Sequence, residues 1–166
     1  MNHRADPTTL SLAAQGQHGA LFDRLAHRLN RDVGYAFLTV LVPEDTGKFL
    51  MRVYSTDPVG HPLGRADRVV DDPWFDRLFA KGQPVFAANP DEISKWLPDY
   101  QGLQGTDYGA LVNFPVVAGG QTVGIINLVS EEYAYGAATL ASMAEASPLA
   151  AMAIATYVRN TTLETA

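Results

Sequence analysis

The sequence contains no cysteine. That excludes a disulfide scaffold, a cysteine nucleophile, a thiol-redox centre, a thioether-linked chromophore and any cysteine-ligated metal site. Positive charge is scarce as well: 12 Lys and Arg stand against 18 Asp and Glu, for a formal net charge of −6. An acidic balance of this kind argues against a nucleic-acid partner held through phosphates. A long, strongly apolar run is also missing, and a membrane-spanning helix needs about 20 such residues. The nearest stretch, residues 137–158, is rich in Ala, which is barely hydrophobic, and carries Glu145 and Pro148. The polar N-terminus has no basic start followed by an apolar segment, so no signal peptide is expected. A cytoplasmic protein with no membrane association is the expectation, in keeping with the absent cysteines.

What remains is a globular composition. Hydrophobic residues make up 47% of the 166, enough for one domain with a sizeable core. Residues 8–160 are expected to form that domain, between flexible tails at 1–7 and 161–166. Leu21, Phe22, Leu25 and Leu29 fall on one face of a helix, which Gly34 ends. Thr8 or Thr9 is a candidate cap for an earlier start, with Gly16 and Gly19 weakening the stretch between. Residues 35–42 (YAFLTVLV) and 48–55 (KFLMRVYS) read as a hairpin across the turn PEDTG. A polar loop over 57–72 leads to a helix capped by Asp71 or Asp72, with Pro73 at its first position and Gly82 at its end. A short strand at 83–87, a short helix at 91–98 and a loop at 99–108 follow. Strands at 109–117 and 122–129 flank Ala118-Gly119-Gly120, a hairpin turn. The last helix runs from about Gly136 to Arg159, and Pro148 is expected to kink or restart it.

Strands that come in hairpins make an antiparallel sheet, so the class is α+β. The terminal helices pack on one face, and the segment 57–108 covers the other as the roof of a cavity. This order resembles a GAF domain, a plan related to profilin-like and PAS-like folds. The resemblance is carried by YAFLTVLV with FLMRVYS, by PWFDRLFAKGQPVFA, by GALVNFPVVAGGQTVGIINLVS and by the flanking helices, over residues 8–159. It implies a small-molecule sensor that binds its ligand between the sheet and the middle segment and dimerises through its terminal helices. The Asn-Lys…Phe…Asp-Glu signature of cyclic-nucleotide-binding members is missing; the nearest fragment is Asn89-Pro90-Asp91-Glu92. Without cysteine, bilin attachment and the methionine-sulfoxide reductase activity of some members are excluded. No covalently attached cofactor is expected.

Asn113 and Asn127 are polar residues inside apolar strands. Pairing Val117 with Gln121 would place them diagonally on one face. Buried amides need partners, from a ligand or from a neighbouring loop. Trp74, Phe75, Phe79, Trp96, Tyr100 and Tyr108 gather in the middle segment, with Phe75 and Phe79 assigned to the core. Trp96 and Tyr108 either line the cavity or plug it. Tyr54 and Arg52 alternate with Met51 and Val53, so they face either the cavity or solvent; solvent is favoured for Arg52, and Tyr54 is counted among the ligand-binding residues. The four histidines lack metal-ligand spacing, and His61, in the loop before the middle helix, is either a solvated loop residue or a ligand contact. The expected ligand-binding set is therefore Asn113, Asn127, Tyr54, Trp74, Trp96, Tyr108 and His61, with no catalytic or metal residues.

Three functions compete. A sensor domain acts as a homodimer and signals to a separate effector protein. A structural dimerisation module has its pocket filled by its own side chains. A small enzyme on the same scaffold is the least supported, because no nucleophile elbow, metal constellation or paired carboxylates appear.

Overall fold

A computed structural model describes residues 6–69, 71–98 and 106–164. Two helices open the chain, α1 (Pro7–Ala14) and α2 (His18–Asp32). The hairpin β1 (Phe37–Pro43) and β2 (Phe49–Ser55) follows, then β3 (Gly64–Arg68). Next come α3 (Pro73–Phe75), a π-helical turn at Asp76–Ala80, β4 (Val85–Ala87) and α4 (Pro90–Trp96). The hairpin β5 (Ala110–Ala118) and β6 (Gln121–Ser130) leads into α5 (Ala137–Glu164). The six strands form one antiparallel sheet in the order β3-β2-β1-β6-β5-β4.

The first helix is capped by Asp6, not by Thr8 or Thr9. Pro7 takes the first helical position, and the Asp6 carboxylate accepts from the Thr9 backbone N–H at 3.1 Å and from the Thr9 hydroxyl at 2.6 Å. Gly16, at φ 71°, separates α1 from α2, and its carbonyl accepts a 2.7 Å bond from Asn160 of α5. Leu21, Phe22, Leu25 and Leu29 are wholly buried, as their spacing predicts. The strand β3 inside the polar loop is a correction. Its sequence, GRADR, has little strand propensity, and backbone pairing with the edge of β2 forms it. At the other end, α5 continues to Glu164 through Pro148 without a restart. Pro148 and Ala144 are both exposed, so the carbonyl left without its helical partner faces water.

Two apolar layers sandwich the sheet. On one side α2 and α5 pack against Leu38, Val40, Val42, Val112, Val116, Ile126 and Leu128. On the other, the middle segment contributes Leu78, Val85, Ala87 and Ile93 to a cluster with Phe37, Leu41, Leu111, Ile125 and Val129. In the middle helix Leu78 is the fully buried residue; Phe75 and Phe79 are half-buried and stack with centroids 4.4 Å apart. By length and composition α5 is apolar enough to cross a membrane, with a mean hydropathy of 1.3 in its most apolar window. A third of that window is nonetheless buried in the fold.

Candidate ligand-binding site

Side chains alternate between the two faces of a strand, and the central strands are paired so that three polar residues fall in one row. Thr39 of β1 pairs with Asn127 of β6, and Asn127 pairs with Asn113 of β5. The row faces the middle segment, away from α2 and α5. Trp74 of α3 completes it: Nε1 donates to Asn113 Oδ1 at 2.9 Å. Asn113 Nδ2 then donates to Asn127 Oδ1 at 2.8 Å, and Asn127 Nδ2 to Thr39 Oγ1 at 3.1 Å. An indole nitrogen can only donate. That single restriction sets the orientation of both amides, since each must turn its oxygen toward the preceding donor.

Over this row lies a cavity of about 120 Å³. Phe37, Leu41, Leu111 and Val129 give it apolar walls, and Arg52, His61 and Leu97 also line it. The Arg52 guanidinium donates from Nη1 to the Pro62 carbonyl at 3.0 Å, while its Nε is buried with no hydrogen-bond partner. His61 stacks on Phe37, ring centroids 4.0 Å apart, and its Nδ1 lies 3.3 Å from Asp57 Oδ2. The Gly60 backbone N–H, with His61 beside it, holds the Asp57 carboxyl below the usual carboxylate range. Among the described residues no cluster of His, Asp or Glu is arranged to hold a metal ion.

Asn113, Asn127, Trp74 and His61 thus line one cavity. Trp96 and Tyr108 pack into the apolar cluster of the same face without lining it. Trp96 lies 5.4 Å from the Arg77 guanidinium, and Tyr108 meets Phe37 edge-on at 5.8 Å. Tyr100 falls outside the described residues. Tyr54 requires a correction, because it belongs to the helix side. Its ring stacks 5.4 Å from Phe22 and its hydroxyl donates to Asp23 Oδ1 at 2.9 Å. Burial, then the Asp23 carboxylate, push its pKa up.

The cause of that correction is a bulge. Val40 pairs with Tyr54, but Leu41 pairs with Arg52, so Val53 is an extra residue. One inserted residue reverses the facing of everything beyond it. Arg52 therefore lines the cavity, whereas its sequence context favours solvent. Val117 pairs with Thr122 and not with Gln121, and with a second irregularity between Val116 and Val117 this makes Asn113 and Asn127 direct partners instead of diagonal ones. Thr39 was not expected in the site at all. Its signal was the lone hydroxyl in an apolar strand, which gains meaning only once β1 is placed beside β6.

The sequence matches the GAF domain family over residues 19–155. A search by sequence among curated proteins finds no match. Solved structures do match by fold. One is the GAF domain of a two-component sensor histidine kinase from Bacillus halodurans, with 13% identity, TM-score 0.65, and coverage of 89% of this chain and 97% of that one. Another is the GAF domain of an Acinetobacter phosphoenolpyruvate-protein phosphotransferase, with 11% identity, TM-score 0.63, and coverage of 90% and 94%. A third, from the phosphoenolpyruvate-protein phosphotransferase (ptsP) of Coxiella burnetii, has 15% identity, TM-score 0.60, and coverage of 92% and 96%. At these identities the likeness is one of fold, and it agrees with the antiparallel sheet, its flanking helices and the family match over most of the sequence. The chain belongs to the GAF domain family.

Proposed function

We propose that this chain is a sensory domain that binds a small molecule in the cavity over the Thr39–Asn127–Asn113–Trp74 row. GAF domains are typically sensory or regulatory domains of signalling proteins, and generally not enzymes. The observation that carries the reading is the cavity itself, with a hydrogen-bonded polar row beneath apolar walls. Few oriented polar groups in an apolar cleft are the usual make-up of a ligand site. In this reading the ligand is held without a covalent link, and attachment through cysteine is excluded because the sequence has none. In this proposal the domain works in the cytoplasm as a homodimer through the outer faces of α1 and α5, and passes its signal to a separate effector protein.

The test is native mass spectrometry of the purified protein beside its denatured mass. A reproducible excess mass, lost on denaturation, is the expected result and identifies the ligand. A bare polypeptide in repeated preparations, with no metabolite-induced change in melting temperature, would overturn it. One observation favours the alternative of a structural module without ligand: the polar row is already joined end to end by its own hydrogen bonds.

A further inference from the structure

The cavity has a chemical polarity of its own. The bonds along the row run in one direction, from Trp74 through Asn113 and Asn127 to Thr39. Each amide oxygen already accepts a bond. Each of these oxygens keeps a second lone pair, and the row also has donors to spare: the second N–H of Asn113 Nδ2, the second N–H of Asn127 Nδ2 and the Thr39 hydroxyl proton. Arg52 adds the Nε–H, buried and unpartnered. Among the described residues no carboxylate lies within 4.0 Å of the Arg52 guanidinium, whose one hydrogen bond goes to a backbone carbonyl. The unmatched Arg52 cation selects an anionic acceptor, which the spare donors of the row can also bind, because a buried charge without a partner is costly.

Size narrows the choice. An apolar cavity of about 150 Å³ holds benzene, so about six non-hydrogen atoms are the natural load for a space slightly smaller. The walls formed by Phe37, Leu41, Leu111 and Val129 are hydrocarbon. A fully hydrated dianion such as phosphate would leave that surface unused, whereas a short hydrocarbon body would cover it. We infer that the ligand is a small monocarboxylate of three to five carbons, its carboxylate set between Arg52 and the donors of the polar row, its hydrocarbon end against Phe37 and Leu111. This inference rests on the sensor reading above and adds the class of ligand.

The experiment is a side-by-side titration of the full chain with isobutyrate, isobutyramide and inorganic phosphate. It is read from the side-chain amide resonances of Asn113 and Asn127 and the indole N–H of Trp74. Isobutyramide has the same shape as isobutyrate without the charge. The expected result is isobutyrate binding at least about ten-fold tighter than either competitor, with the preference over the amide lost in Arg52→Gln and largely kept in Arg52→Lys. Equal binding of acid and amide would overturn the charge assignment and leave the cavity a ligand site. Tighter binding of phosphate would overturn the monocarboxylate class. Failure of all three probes overturns the inference as well. The sensor reading then survives if the native mass carries another metabolite, and falls with the inference if it carries none. The comparison of the isosteres uses the unaltered protein, so it is decisive even if a variant fails to fold.

Discussion

Asn113 holds two bonds at once, and removing its side chain strands both neighbours. In Asn113→Ala the Trp74 Nε1 donor loses its acceptor and the Asn127 oxygen loses its donor. Asn113 is only 7% exposed, so water does not easily replace either partner. The expected cost is about 1–3 kcal/mol, seen as a lower urea midpoint with an unchanged slope. Trp74→Phe strands only the Asn113 oxygen and is expected to cost less. The two amides stood out in the sequence because each is a polar residue inside an apolar strand, while a ligand and a neighbouring loop were both open as their partners. Arg52 and Tyr54 were not. Their spacing of two put them on one face, and only the bulge at Val53 separates them. A bulge leaves no signature in the composition of FLMRVYS, so side-chain facing on β2 was beyond reach. A variant pair checks the correction. Tyr54→Phe is expected to leave isobutyrate binding within about two-fold of the parent, while Arg52→Gln weakens it about ten-fold. A Tyr54→Phe variant that loses binding would return Tyr54 to the site.

At the scale of elements, the bulge in β1–β2 and the helix α5 meet at one glycine. A methyl group on Gly124 of β6 would come within 2.8 Å of the Leu41 carbonyl oxygen and 2.7 Å of Ile154 Cδ1. Ile154 can rotate away, but the Leu41 backbone is held in its ladder with β6. Gly124→Ala is therefore expected to destabilise the fold by about 1–3 kcal/mol despite the better strand propensity of Ala, measured by chemical denaturation. The N-terminal helix supplies a pH-dependent counterpart. The Thr9 hydroxyl and backbone N–H, with Arg24 alongside, hold the Asp6 carboxyl at about 2 against an ordinary 3.8. A folded-state pKa below the unfolded one stabilises the fold above the unfolded value, and the gain fades as pH falls through the folded value. The stability difference between the parent and Asp6→Asn should thus be full above pH 3.8 and vanish as pH falls through about 2. A difference that persists unchanged at the acid end would show that the cap acts through neutral hydrogen bonds alone. The hairpins and α2 were readable from period and turn residues; α1's cap was not, because Asp6, Thr8 and Thr9 all have capping side chains and the choice depends on Pro7.

For the whole molecule, the sheet divides the chain into a side with the cavity, where the ligand is proposed, and a side for helices, to which the proposed dimer belongs. The apolar stripe on α2 was visible in the sequence, but a stripe does not announce whether it meets the sheet or another chain. The structure separates the two cases. Leu25 is wholly buried and Ile154 is 2% exposed, both against the sheet, so a charge at either one would break the fold rather than an interface. Away from that buried face, α5 carries Leu149 and Met152, half-buried, and Val158 and Leu163, which are 45% and 71% exposed. Val158 lies near Arg159, whose guanidinium donates to the Ala13 carbonyl at 2.7 Å and ties the C-terminal end of α5 to α1. The outer surface of α5 therefore offers apolar area while its inner stripe stays committed. A glutamate at Met152 or Val158 places a charge where a second copy would have to desolvate it. By light scattering, the parent is expected at twice the 17.9 kDa chain mass. Met152→Glu and Val158→Glu are expected near the single-chain mass, with melting temperatures close to the parent at low concentration. Ile154→Glu, by contrast, is expected to lose its cooperative transition. If the two outer-face variants keep the parent's mass, the dimer uses another surface and the division of labour between the faces of the sheet fails at the level of assembly.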